Sequence, residues 1–258
     1  MIWVTGDIHG DPSRLSSRSF DEQEFFNNPD ENFVIILGDF GLVWNYEKES
    51  KTEKWWLDWL AAKPFYTLFI SGNHENFDRL DKMPVSEWKG GKVHFIRPHV
   101  IHLMRGQVFN IQGKTFFTFG GAASHDIRDG ILEMSDKRIS YWNLLGKEYR
   151  INHLTWWERE MASREEMDEG LHNLEKAGNK VDFILTHCIN TSTAALMSSG
   201  RYKPDSMTEY LEKIYSTVEW KKWLFGHYHD NRAMTNNQLL LYEQIIQGVS
   251  YGKRSRMV

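Results

Sequence analysis

Five short apolar runs in this chain stop at the same kind of punctuation, and that repetition constrains the fold more than any other feature. IWVT (2–5) runs into Gly6 and Asp7, FVIIL (33–37) into Gly38 and Asp39, and FYTLFIS (65–71) into Gly72, Asn73 and His74. VDFILT (181–186) runs into His187, and KKWLF (221–225) into Gly226 and His227. Apolar, β-branched runs of this length bounded by turn residues read as buried strands. Helical patterns separate them: residues 49–62 set Trp55, Trp56, Trp59 and Leu60 on one face, where core packing is the expected role. Residues 155–177 carry Met167, Leu171 and Leu174 in helical step, and 204–217 opens on Pro204 and Asp205. Residues 107–119 read as a hairpin turning at Gln112 and Gly113. Early strand–helix alternation with antiparallel pairing later predicts a mixed α/β fold of two packed sheets with helices outside.

The 258 residues suffice for one domain over 1–258, with no linker or repeat; only 124–153 fits neither period and is expected to be a flap or insertion. A formal net charge of -4 argues against long nucleic acid as a partner, and the C-terminal GKRSRMV reads as a solvated basic tail. The single cysteine, Cys188, excludes an intramolecular disulfide and fits a reducing compartment. Gly6 and Asp7 interrupt any leader-like run, and no apolar stretch approaches a membrane span, so a cytoplasmic protein is expected.

Asp7, His9, Asp39, Asn73, His74, His187, His227 and His229 each stand just beyond an apolar strand. Loops at strand ends converge on one crevice in α/β sheets. One histidine beside a strand means little, but eight such residues at strand exits carry the ligands of a metal centre. Carboxylate and amide oxygens mixed with imidazole nitrogens suit divalent transition ions better than calcium. Two ions about 4 Å apart need a shared carboxylate, a geometry that clamps both oxygens of an in-line phosphoryl displacement.

The ordered blocks D-x-H (Asp7, His9), GD (Gly38, Asp39), GNHE (72–75), a later His187 and GHxH (226–229) resemble the calcineurin-like metallophosphoesterases. The resemblance spans residues 6–229. It implies a four-layer α-β-β-α sandwich of two mixed β-sheets flanked by helices, with a dinuclear site at one edge. It also implies one ion held by Asp7, His9, Asp39 and His229, and a second by Asp39, Asn73, His187 and His227, so that Asp39 bridges. Water shared by the ions would attack phosphorus, and His74, off the metals, would protonate the leaving oxygen or steady the phosphoryl group as charge builds. Manganese is the first expectation for the ions, with iron, zinc, nickel or magnesium as alternatives.

The protein Ser/Thr phosphatase branch has GDxVDRG at the second block; here GDFGLVW puts Leu42 where that branch has an aspartate supporting the catalytic histidine, and Val43 where it has a phosphate-gripping arginine. Glu75 or Asp78 is the candidate to orient His74, and Arg14 and Arg128 are the candidates to hold phosphate. The block GGAASHDIRDG (120–130), followed by Trp156 and Trp157, looks more loosely like a segment of bacterial and phage-type members, and reads equally as a substrate-side loop or a plain surface loop. Trp156 and Trp157, beside Tyr141 and Trp142, are candidates to line a cleft or partner surface. Metal-dependent phosphomonoester hydrolysis, on a phosphoprotein or small phosphorylated molecule, is the leading expectation. A phosphodiesterase for cyclic nucleotides, nucleotides or nucleic-acid ends is the alternative, and a catalytically silent metal-bearing interaction module is the third.

Overall fold

The apolar runs become strands because both of their faces find apolar cover. In the computed structural model, which describes residues 1–16, 19–20 and 31–248, they assemble into two large mixed sheets. The basic C-terminal stretch lies outside the described residues. The first sheet contains β1 (Ile2–Thr5), β2 (Phe33–Ile36), β3 (Tyr66–Phe69), β4 (Val85–Trp88), β5 (Gly91–Arg97) and β6 (Val100–Leu103). The second contains β7 (Gln107–Ile111) and β8 (Lys114–Phe119). A small separate sheet pairs β9 (Gly130–Leu132) with β10 (Tyr149–Ile151). The second large sheet continues with β11 (Lys180–Thr186), β12 (Glu219–Phe225), β13 (Arg232–Ala233) and β14 (Gln238–Leu240), while β15 (Ile245–Gln247) returns to the first. The spatial orders are β15-β1-β2-β3-β6-β5-β4 and β13-β14-β12-β11-β8-β7. Each sheet is parallel at its centre and antiparallel at its edges.

Side-chain alternation assigns the layers. Phe33, Ile35 and Leu68 pack with Phe116, Phe183, Leu185 and Leu224 to fill the space between the sheets. Their neighbours Val34, Ile36 and Phe69 face outward and pack with Leu57 and Leu60 of α1 (Lys51–Ala61). A short turn, α2 (Phe77–Leu80), follows β3, and α3 (Ile139–Leu144) lies between β9 and β10. On the outside of the second sheet, Phe117, Phe119, Ile184 and Trp223 pack with Leu174 of α4 (Arg164–Lys176), Ala194 of α5 (Thr191–Ser198), and Leu211 and Ile214 of α6 (Ser206–Thr217). The architecture is the expected helix–sheet–sheet–helix arrangement. The hairpin forms between β7 and β8, with Gln112 and Gly113 at φ 52° and 70°, the left-handed pair that a two-residue turn requires.

Three expectations need correction. The helix read over 155–177 begins only at Arg164, because Ser163 and Glu166 form a reciprocal capping box there. Residues 158–160 instead form a single 3-10 turn, and Trp157 is buried in the first sheet's outer core rather than lining a cleft. Finally, Trp55 is 58% exposed; the buried stripe of α1 runs through Glu53, Leu57 and Leu60. Glu53 turns that face inward, since its carboxylate accepts the backbone N–H groups of Trp44, Asn45 and Ser50 and pairs with Arg79.

Candidate metal centre

Parallel strands deliver their C-terminal ends to one rim, so the loops after β1, β2 and β3 meet those after β11 and β12. Among these loops the backbone is bent in a way the apolar runs alone do not announce. His9 (φ 45°), Asp39 (45°), His227 (70°) and His229 (49°) all occupy the left-handed region, which non-glycine residues adopt at a cost of about 1–2 kcal/mol each. Strain concentrated on four proposed ligands marks a centre that the surrounding structure holds in place.

Asp7, His9, Asp39 and His229 present ligand atoms that all lie within 4.8 Å of one another. His9 Nε2 stands 2.9 Å from His229 Nε2, and His229 Nε2 stands 3.2 Å from Asp7 Oδ2. Both carboxylates are buried, and two imidazole nitrogens face each other across the same space. Two hard oxygens and two borderline nitrogens converging there fit a divalent transition ion. The other proposed set gathers around His187. Its Nδ1–H donates to Leu37 O at 2.7 Å, which leaves Nε2 facing Asn73 Oδ1 at 3.2 Å and Asp39 Oδ1 at 3.4 Å. The His227 ring packs edge-on to His187 at 4.9 Å, and its Nε2 stands 2.7 Å from His125 Nε2.

Asp39 therefore lies between the two sets, with Oδ1 toward His187 and Oδ2 3.8 Å from His9 Nε2. Burial pushes the Asp39 carboxyl up, but the His187 charge and hydrogen bond, reinforced by the His74 backbone N–H at 2.8 Å, hold it well below the usual carboxylate range. Reciprocally, burial lowers His187 while Asp39 and Asp7 raise it, to about 9. Glycine makes this approach possible in two places. A Cβ on Gly72 would sit 2.0 Å from Asp39 Oδ1, and one on Gly38 would sit 2.2 Å from His187 Nδ1, at a φ of 97° besides. Here the glycines clear room for the ligand side chains themselves.

His74 lies beside the ligands: its ring is 5.6 Å from His9 and 5.9 Å from Trp44. Burial lowers its pKa against the opposing pull of Asp39, and Arg150 lowers it further. Neither candidate orienting acid contacts its ring. Glu75 is fully buried, accepting the N–H groups of Phe40 and Gly41, and burial raises it to about 8. Asp78 instead accepts hydrogen bonds from His153 Nδ1 and Trp157 Nε1.

The two candidate arginines are committed to partners within the protein. Arg14 donates to Tyr242 O, Asp7 O and Thr5 Oγ1, so it braces the backbone that carries Asp7. Arg128 has a side chain 80% exposed and pairs with Glu148. Leu42 and Val43 are buried in the core. Cys188 is buried, and burial raises its thiol out of reactive range.

Ser124 and Asp126, from the block read as a substrate-side or surface loop, connect this region to Glu160 and Arg150, which the sequence did not single out. Asn73 Nδ2 donates to Ser124 Oγ at 3.2 Å, and Ser124 Oγ donates to Glu160 Oε2 at 2.6 Å. This relay turns the Asn73 amide so that its oxygen, not its nitrogen, faces His187 and the ligand space. Arg150 pairs with Asp126. Glu160 and Arg150 stand in the ordinary charged stretches WERE and KEYR, with no spacing signal to separate them from surface residues. A cleft of about 550 Å³, lined by Tyr46, Glu47, Asp78, Lys82, Met134 and His153, includes none of the candidate ligands.

No helix among the described residues is long and apolar enough to cross a membrane. A search of curated proteins finds no match to this chain. The family model for calcineurin-like phosphoesterases matches residues 1–231, whose members are generally metal-dependent phosphoesterases with a dinuclear divalent site. With that match extending over all five strand-end blocks, the chain belongs to the calcineurin-like phosphoesterase family.

Proposed function

We propose that this protein hydrolyses phosphomonoesters, on a phosphoprotein or a small phosphorylated molecule, at a dinuclear centre. The observation that carries the reading is Asp39, a buried carboxylate with one oxygen toward each of two donor sets. Asp7, His9, Asp39 and His229 would hold one ion, and Asp39, Asn73, His187 and His227 the other. Two divalent ions, manganese first and iron, zinc, nickel or magnesium as alternatives, supply Lewis-acid charge and acidify water enough to serve as nucleophile at neutral pH.

The chain's own part is positioning and proton supply. Asp39 is kept ionised by His187 and by the His74 N–H, so it needs no deprotonation before binding cations. The Ser124–Glu160 relay holds the Asn73 oxygen inward. As water oxygen bonds to phosphorus and the bond to the leaving oxygen breaks, the His74 ring N–H would protonate that oxygen or steady the phosphoryl group as charge builds. A cytoplasmic setting and the absence of long nucleic acid among its substrates accord with one buried cysteine and a net charge of -4.

The test is turnover of p-nitrophenyl phosphate against bis-p-nitrophenyl phosphate by manganese-loaded protein, with Asp39→Asn alongside. Monoester preference that disappears in the variant is expected. Preference for the diester would move the assignment to a phosphodiesterase, and no turnover of either, with two metals bound, would favour the silent interaction module.

A further inference from the structure

Three consecutive residues of the 124–153 segment each lead to a different part of the centre. Ser124 Oγ accepts the Asn73 amide N–H, His125 Nε2 meets His227 Nε2 at 2.7 Å, and Asp126 pairs with Arg150. The Arg150 guanidinium is thereby tied to the residue that follows the two contacts to proposed ligands. Both members of the pair lie within electrostatic reach of His74.

The pair does not have the form of a closed structural bridge. Only Nη2 of Arg150 has a hydrogen-bond partner among the described residues, which leaves Nε and Nη1 uncommitted on a side chain 25% exposed. Asp126 Oδ1 is buried with no partner. Other arginines near this rim are engaged: Arg14 on backbone carbonyls, Arg105 on Gly120 O, Glu160 O and Glu166, and Arg159 on Asp81 and Glu166. A guanidinium presents its donors in a planar fork that matches two oxygens of one phosphate.

We propose that Arg150 is the substrate clamp, gripping two non-bridging oxygens of a phosphomonoester with its free N–H groups while Asp126 fixes the fork through Nη2. The proposal rests on the phosphoesterase reading of the centre. It also gives that reading a source of selectivity. A monoester offers three terminal oxygens and a double charge; a diester offers two oxygens, one charge and a second ester arm that must pass the same segment.

The experiment uses full-length, manganese-loaded protein with Arg150→Ala, Arg150→Lys and wild type. Four quantities are measured: metal per chain, kcat and KM for both nitrophenyl esters, inorganic phosphate affinity by calorimetry, and rescue by free guanidinium. Arg150→Ala should keep its metals, lose about 50-fold in monoester kcat/KM, as loss of one or two charge-assisted hydrogen bonds implies, and lose less than about 5-fold on the diester. Phosphate affinity should fall in parallel, Arg150→Lys should recover part of the loss, and millimolar guanidinium should restore part of the Ala variant's monoester rate. Equal losses on both esters with unchanged phosphate affinity would overturn the clamp, and so would loss of metal in the Lys variant. If wild type turns over neither ester, the phosphoesterase reading falls, and the clamp is then judged alone by whether phosphate binding differs between wild type and Arg150→Ala.

Discussion

The candidate metal centre and the 124–153 segment, which meets it through Ser124 and His125, are built on opposite principles. At the centre, Asp7, Asp39 and His187 are buried, four non-glycine residues hold left-handed backbone, and Gly38 and Gly72 pass so close to ligand side chains that even a methyl group would collide. The segment is a two-stranded sheet, in which Leu132 is buried, and a helix that buries no residue; Tyr141, Leu144 and Leu145 are exposed, and Gly130 and Gly146 have open space around them. The difference teaches where the fold is held rigidly and where it is free to vary. Ligand geometry tolerates errors of a few tenths of an ångström at most, so it is set at the ends of packed strands. Substrate recognition can be carried by an added segment that touches the centre through a few polar side chains.

The sharpest way to break this comparison is at its shared carboxylate. Asp39→Asn should lower the metal count per chain and reduce turnover by about 10³-fold or more, because the charge lost faces both ligand sets. Retention of two metals with near-normal turnover would remove Asp39 from its bridging place.

Next in size are two glycine substitutions that set one region against the other. Gly72→Ala drives a methyl into Asp39 and should cost about 3 kcal/mol or more in unfolding free energy, with metal loss. Gly146→Ala meets only its φ of 62° and should cost about 1 kcal/mol, leaving metal binding intact. Similar denaturation midpoints for the two would show that the centre is no more rigidly packed than the segment.

Smaller still is the relay behind Asn73. Glu160→Gln should weaken metal affinity by about 10-fold, measured by competition with a chelator, since its donor NH₂ can face Ser124 and let the Asn73 amide turn over. An unchanged affinity would make the relay a packing contact only. The least effect belongs to Arg128→Ala, whose exposed ion pair with Glu148 touches nothing at the centre; monoester KM should stay within about twofold. A larger rise would return Arg128 to the substrate.

How far the site was legible in the sequence followed from how local each signal is. The residues after β1, β2, β3, β11 and β12 could be read because an apolar strand, a glycine and a ligand-type residue are neighbours in the chain. The proposed clamp could not, because Arg150 is joined to this region only by pairing with Asp126, 24 positions earlier, and by strand pairing between β10 and β9. The start of α4 was missed for a related reason: charged residues 158–166 have helical composition, while the Ser163 cap that starts the helix competes with a 3-10 turn burying Trp157.

By itself, then, the sequence determined the strands, the two-sheet layering, the family and the strand-end residues available to hold metal, since each is written in the period of apolar residues or in adjacent blocks. Only the tertiary structure decided that Arg150 pairs with Asp126, that Glu75 and Asp78 serve backbone and tryptophan rather than His74, and that Ser124 and Glu160 meet Asn73. Those are matters of which donor meets which acceptor across distant parts of the chain. Side chains of the same type at the same exposure differ there only by the direction in which the packed sheets and the added segment point them.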